Sequence, residues 1–457
     1  MYTSYIGRRL LMLYRERTGE DLTARQFFEQ QLYPLFYAHK RYLQWVPNSP
    51  FAQKVAQGNL VAGKTESDIQ LATFHHKVAS VVPDASFVIG FPAAGVEGTT
   101  SGQVSNIGPK IDNEDIYCSW IGGALGVGVG SGFSLLISED DVLWTLFQGW
   151  KHYRTYLEQR PGLKGNQIDT WNGHWLAHSF NRHFEPNHPL DEFEIKLVET
   201  AGVLSIPTRE WVQILFSLAY HYPDQNLMAY AYCLAKDNKT IGFVPLQLGS
   251  INRLCDLNSK LFLFPEAVQS AGTDALLRLY ATHYGFARAC QLGAIGLAAI
   301  EPAKLRDYVG GPDYAPKPLS IKTEEAAIQF AFQQIWILAM LNNQELYTAA
   351  DRLAEALHQF TQRNDHRDSG RGKKNLDRQA EGVFVRNRAA FIDRLTDILA
   401  ESGSQAGSYL DVFDEAVRQA TLMPVDNFPL FIILTRFRYV ARQSQGSLAI
   451  PTESSPA

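Results

Sequence analysis

The chain has 457 residues, of which 46% are hydrophobic, 12% aromatic and 19% charged, with a net charge of −5. That length and apolar content support a large core divided among two to four domains, and the acidic balance excludes a protein coated in basic residues, though not local cationic patches. Four cysteines, Cys118, Cys233, Cys255 and Cys290, form no CxxC pair, which disfavours a disulfide framework and a thiolate metal site and points to a reducing, cytoplasmic setting. The opening residues lack the apolar core of a signal peptide, and apolar runs such as Ile335 to Leu341 are too short to span a bilayer, so no membrane is expected.

In chain order, the first expected element is an amphipathic helix. Thr23 and Gln26 have capping-box spacing, and Phe27, Leu32, Leu35 and Phe36 follow at helical intervals until the prolines at 47 and 50. Ala85 to Phe91 and Ile116 to Ile121 read as short strands flanking a glycine-rich segment, and Phe133 to Ile137 as a third. That segment, 90–132, holds eleven of the 34 glycines. Within it, Gly126 to Gly132 imitates a phosphate-cradling loop, but it leads into the strand at Phe133 and not into a helix, so a glycine-rich hairpin or bulged strand is expected.

Ser138 and Asp141 mark the start of a helix carrying Leu143, Leu146, Trp150, Tyr153 and Leu157 on one face. Helical pattern continues at Trp171 to Phe184, Arg209 to Ala219 and Leu276 to Ala299, with a strand at Thr240 to Leu248. Residues 307–323 hold three prolines and paired glycines and read as a linker between a mixed α/β domain over 1–306 and a helical bundle over 324–442. Within the bundle, Arg363 to Gln379 reads as a mobile basic loop, and 443–457 as a disordered tail. The fold class expected is α+β: an irregular mixed N-terminal domain followed by an α-helical bundle.

No complete catalytic motif is present. His174, His178 and His183 have the spacing that stacks imidazoles on one helical face, but position 175 is Trp where a metalloprotease needs Glu, so core-edge roles are favoured over a metal. Asp191, Glu194 and Lys196 imitate part of a nuclease site and are read first as a solvated face. His75-His76-Lys77 has no evident partner. Two features favour a polynucleotide. The loop 98–110 offers Thr100, Ser101, Gln103, Asn106 and Lys110, amides and hydroxyls suited to base edges and a lysine suited to phosphate. The cationic cluster Arg371, Lys373, Lys374, Arg378, Arg386 and Arg388 suits a nucleic-acid backbone, and Arg436, Arg438 and Arg442 extend it in a stripe. A second basic excess lies in residues 1–60, with Arg8, Arg9, Arg15, Arg17, Arg25, Lys40, Arg41 and Lys54.

The opening FFEQQLYPLFYAHKRYLQWVPNSPF (27–51), the FPAAGVEGTTSGQVSNI loop (91–107), the WTLFQGWKHYRTYL helix (144–157) and the helical final third together resemble the large subunit of a type I CRISPR surveillance complex, Cascade, of the I-B and I-A kind. The resemblance implies a non-catalytic subunit without a cofactor. It would recognise the protospacer-adjacent motif in duplex DNA, promote strand separation and support the displaced single strand, beside a guide RNA and the backbone subunits. A nuclease or transposition adaptor would be a further partner. The 98–110 loop would then read the motif and the 371–388 region would hold DNA. The chain departs from some related subunits in lacking CxxC pairs, and it has no HD-type nuclease signature. A restriction-type DNA nuclease or a metal-dependent hydrolase is the competing expectation.

Overall fold

A computed structural model describes residues 1–39, 49–59, 63–84, 87–90, 111–130, 132–181, 183–233, 240–261, 282, 284–311, 314–319, 324–363 and 370–443. The architecture is α+β, a small antiparallel sheet within a helical N-terminal region and a helical C-terminal region, as the sequence pattern requires. Two compact units divide the chain: Met1–Gly249 with Phe286–Ile295, and Ser250–Gly285 with Gly296–Ala457.

The first unit opens with a helix absent from the sequence expectations, α1 (Tyr2–Thr18), which buries Ile6, Leu10 and Leu13. The Thr23–Gln26 capping box is formed, and a continuous helical stretch follows as α2 (Ala24–Phe27), a π-helical turn (Phe28–Leu32) and α3 (Tyr33–Phe36). After α4 (Glu66–Ser80), the run expected as a strand at Ile116 to Ile121 is instead the centre of a helix, α5 (Asn113–Gly123). Every residue from Ile116 to Gly123 is buried. A helix buried on all sides loses its polar face, and its short apolar run is then indistinguishable from a core strand. Of Ala85 to Phe91, the described residues 87–90 form a turn with Phe87, Val88 and Ile89 buried, not a strand.

Gly7 and Gly122 let α1 and α5 touch backbone to backbone. A Cβ at Gly7 would stand 2.0 Å from the carbonyl oxygen of Cys118, and one at Gly122 would stand 1.9 Å from that of Thr3.

The sheet runs β1-β2-β5-β6, all antiparallel, from β1 (Val127–Gly130), β2 (Phe133–Ile137), β5 (Asn226–Cys233) and β6 (Thr240–Gln247). The described part of the Gly126–Gly132 segment therefore supplies a hairpin strand, Val127–Gly130, with a bulge between Gly128 and Gly130. Its backbone lies under α7 (Ile168–Ser179), whose Asn172 donates to the carbonyls of Ala124 and Gly126, 2.9 Å each. The helix expected after Ser138 is α6 (Asp140–Glu158), with Leu143, Leu146, Trp150, Tyr153 and Leu157 all buried. A small hairpin, β3 (Val198–Thr200) and β4 (Val203–Ser205), precedes α8 (Trp211–His221). Neither that hairpin nor β5 is evident from the sequence, because the alanines of β5 do not read as strand.

In the chain, α9 (Leu248–Leu261) comes next. Of the expected long helix at 276–299, residues 276–281 and 283 lie outside the described residues. The rest forms only a short helix, α10 (Phe286–Cys290), a turn and a 3₁₀ turn at Leu297–Ile300.

The second unit contains the expected helices: α11 (Glu324–Leu341), α12 (Gln344–Thr361), α14 (Arg388–Ser402), α15 (Ala406–Leu422) and α16 (Phe428–Gln443). The span expected as a mobile loop becomes helical at residue 370, as α13 (Gly370–Gly382), because Leu376 and Ala380 bury one side of it. The described residues of 307–319 pack within this unit. Gly310 donates to the carbonyl of Phe384 at 3.1 Å, and buried Arg436 donates to the carbonyls of Tyr308 at 2.7 Å and Lys317 at 2.9 Å. The division between units thus first falls at Gly249/Ser250 and not within 307–323.

Candidate nucleic-acid interface

Thr100, Ser101, Gln103, Asn106 and Lys110 lie outside the described residues, but both stems of their loop are defined. On the entering side, Thr3 Oγ1 donates to the carbonyl of Ile89 at 2.6 Å, the amide of Ile89 donates to Ser119 Oγ at 3.1 Å, and Trp120 Nε1 donates to the carbonyl of Phe87 at 2.8 Å. Gly90 takes φ +72° against the Thr3 side chain, a backbone conformation that residues with a side chain rarely adopt. On the leaving side, Asp112 and Asp115 form a capping box at the start of α5, and Arg8 reaches both carboxylates, at 3.4 and 3.0 Å. Both stems are therefore tied to α1 and α5.

The described arginines of the first sixty residues are all paired with carboxylates of the same unit. Arg8 pairs with Asp115, Arg9 with Asp140 at 2.5 Å, Arg15 with Asp21 at 3.5 Å, Arg17 with Asp141 at 3.2 Å and Arg25 with Glu29 at 2.8 Å. Lys54 is exposed, and Lys40 and Arg41 lie outside the described residues.

The cationic cluster of the second unit separates into two groups. Positions 371, 374 and 378, spaced three and four residues apart on α13, fall on the side of the helix opposite buried Leu376 and Ala380, whereas position 373, seven residues before Ala380, falls on the same side as Ala380. Arg378 is exposed. Arg386 and Arg388 are each also engaged within their own unit. The Arg386 guanidinium donates to the carbonyl of Arg306 and lies 5.4 Å from the Tyr314 ring centre. That of Arg388 donates to the carbonyl of Met423 at 2.5 Å and lies 5.6 Å from the ring centre of Phe428. The expected extension through Arg436, Arg438 and Arg442 is not a free stripe. Arg436 is buried and meets Glu381 at 3.4 Å, Arg438 holds Asp351 at 2.6 Å, and Arg442 holds Asp351 at 2.9 Å and Glu355 at 2.6 Å. Spacing identifies a shared helix face, but it does not reveal which carboxylates pack against that face.

The histidines do not converge on one point. His174 Nε2 lies 2.8 Å from the carbonyl of Pro207, His178 Nε2 lies 3.0 Å from that of Pro189, and His183 is exposed. Burial lowers the pKa of His178 from its ordinary value, so its neutral ring donates Nε2–H to that carbonyl. Asp191, Glu194 and Lys196 are exposed on an irregular segment. Among the described residues no group of three or more His, Cys, Asp or Glu side chains is arranged to hold a metal.

His75, which sequence leaves without a partner, is the centre of a polar chain. Its Nδ1 lies 2.7 Å from the hydroxyl of Tyr117, its Nε2 lies 3.0 Å from Glu29, and Glu29 also takes Arg25. Burial, then Arg25, lowers the His75 pKa against the opposing pull of Glu29, so the neutral ring accepts from Tyr117 and donates to Glu29. Burial raises the Tyr117 phenol, the wrong direction for a nucleophile, so the chain ties α4 and the π-helical turn to α5.

No family model, curated protein or solved structure matches the chain.

Proposed function

We propose that this chain is a non-catalytic, cytoplasmic DNA-binding large subunit of a CRISPR RNA-guided surveillance complex. In this reading the 98–110 loop recognises the protospacer-adjacent motif in duplex DNA, and α13 supports strand separation by holding the displaced single strand. Its partners are the guide RNA, the backbone subunits and a nuclease or transposition adaptor. The supporting observation is α13. Four basic residues lie on a helix whose Leu376 and Ala380 are buried in its own unit; positions 371, 374 and 378 fall on the opposite side of that helix, and Arg378 is exposed. A positive stripe of this kind binds phosphates without reading sequence.

The test replaces Arg371, Lys373, Lys374 and Arg378 with glutamine and measures DNA binding across a salt series. Affinity falls for duplex and single strand alike, and the slope of log K against log salt flattens by about 0.7 to 0.9 for each phosphate no longer neutralised. Unchanged binding would reject the reading. Cleavage of DNA that disappears on Glu194→Ala would replace it with the nuclease.

A further inference from the structure

The outer face of the β5–β6 hairpin is apolar and aromatic. Tyr230 and Phe243 are cross-strand partners with ring centres 5.2 Å apart, and Tyr2 of α1 lies 4.9 Å from Tyr230 and edge-on to Phe243 at 5.2 Å. Tyr5 stacks on Tyr2 at 5.6 Å, which continues the surface along α1. The opposite face of the same strands, with Leu227, Ala229, Ala231, Val244 and Leu246, is core. Yet Phe243 is 60% exposed, Tyr5 53%, Met228 46% and Ile241 38%. Large apolar side chains in contiguous contact and open to solvent mark an interaction surface.

Charge at its border selects the occupant. Ser138 donates to the Tyr5 hydroxyl at 3.4 Å, which brings the acidic start of α6 beside the rings. There Asp140 is held by Arg9 and Asp141 by Arg17, whereas Glu139 has no ion-pair partner among the described residues. Burial, then Tyr5, then Glu139 raise the Tyr2 phenol, so that carboxylate acts on the ring cluster. Electron-rich faces beside an unpaired carboxylate repel phosphate and attract a guanidinium, which can lie flat on a ring while bonding to the carboxylate.

We infer that the surface of Tyr2, Tyr5, Tyr230 and Phe243 with Glu139 docks an arginine-bearing segment of a protein partner. The site is independent of the DNA reading, since α13 belongs to the other unit.

Fluorescence anisotropy on the full chain tests it. The probes are a labelled peptide of alternating arginine and glycine, its glutamate counterpart and a short oligothymidylate. The arginine peptide binds and the glutamate peptide does not. Tyr5→Ala and Phe243→Ala each weaken binding by about two- to five-fold, and Phe243→Tyr restores it. Glu139→Gln weakens it and flattens its salt dependence, and glutamine at the four basic positions of α13 leaves it unchanged. Failure of the arginine peptide to bind, or binding indifferent to these ring and carboxylate changes, overturns the inference. So does oligothymidylate binding that depends on the same rings, which would make them a base-stacking platform.

Discussion

Gly7 and Gly122 show how much of the first unit depends on single atoms. The two residues stand where α1 and α5 cross, and the amide nitrogen of Gly7 would lie 3.0 Å from a Cβ at position 122. A methyl group there meets main-chain carbonyls, which cannot turn aside as a flexible side chain can, so the helices must separate. Gly7→Ala or Gly122→Ala is expected to cost about 1–3 kcal/mol, read as a lower denaturation midpoint. Gly407→Ala, at a helical position with nothing within 4 Å, leaves stability unchanged or raises it. The same crossing carries Thr3 and Ser119, which hold the entering stem of the glycine-rich loop, so the alanine variants also loosen the loop's anchorage. Sequence shows an abundance of glycine in this region but not which glycines are there for close approach. Gly122 is read correctly only once α5 is known to be a helix.

The pairing of α12 with α16 illustrates what an element-level pattern reveals and what it conceals. Leu346, Ala350, Leu353, Leu357 and Phe360 recur at helical spacing and are all buried, so α12 is legible from its sequence. The element α13 is not, because its glycines and charges mask the two buried residues that secure it. The basic residues of α16 are visible in the sequence, but their partners on α12 are not, since residue spacing within one helix carries no information about its neighbour. Burial raises the Asp351 carboxyl, but hydrogen bonds from Arg442 and Arg438 outweigh it and hold the group below its ordinary value, and Arg442 lowers Glu355 in the same way. A carboxylate whose folded pKa is depressed adds stability above its unfolded pKa, and that stability is lost as pH falls through the folded pKa. The second unit therefore loses stability on acidification below about pH 4 to 5, where free Asp and Glu begin to protonate. Arg442→Gln lowers stability at neutral pH by about 1–2 kcal/mol, part of the pair being open to solvent, and flattens that acid limb. Denaturant midpoints measured from pH 7 to pH 3 give both effects. An unaltered acid limb in the variant would mean that the α12–α16 charges do not stabilise the unit.

Across the whole molecule, a net charge of −5 means that the proposed DNA binding would be a local effect working against a general repulsion. Each described arginine among the first sixty residues lies beside a carboxylate, so the positive surface of the described N-terminal region is far smaller than its composition implies. If the proposed function holds, two contributions to binding belong to different parts of the chain and respond to different perturbations. The α13 stripe supplies a salt-dependent term that is blind to sequence. The loop after Gly90 supplies a term that depends on base identity, because Gln103 and Asn106 carry amides able to donate and accept together at a base edge. Gln103→Ala with Asn106→Ala is therefore expected to reduce the preference for motif-bearing over motif-lacking duplex by about 1–3 kcal/mol per amide removed, while leaving the salt slope intact. Competition binding with the assembled complex, on matched duplexes at several salt concentrations, separates the two terms. A change in slope without a change in preference would assign these amides to the phosphate backbone, and the base-reading role would then belong to another part of the complex.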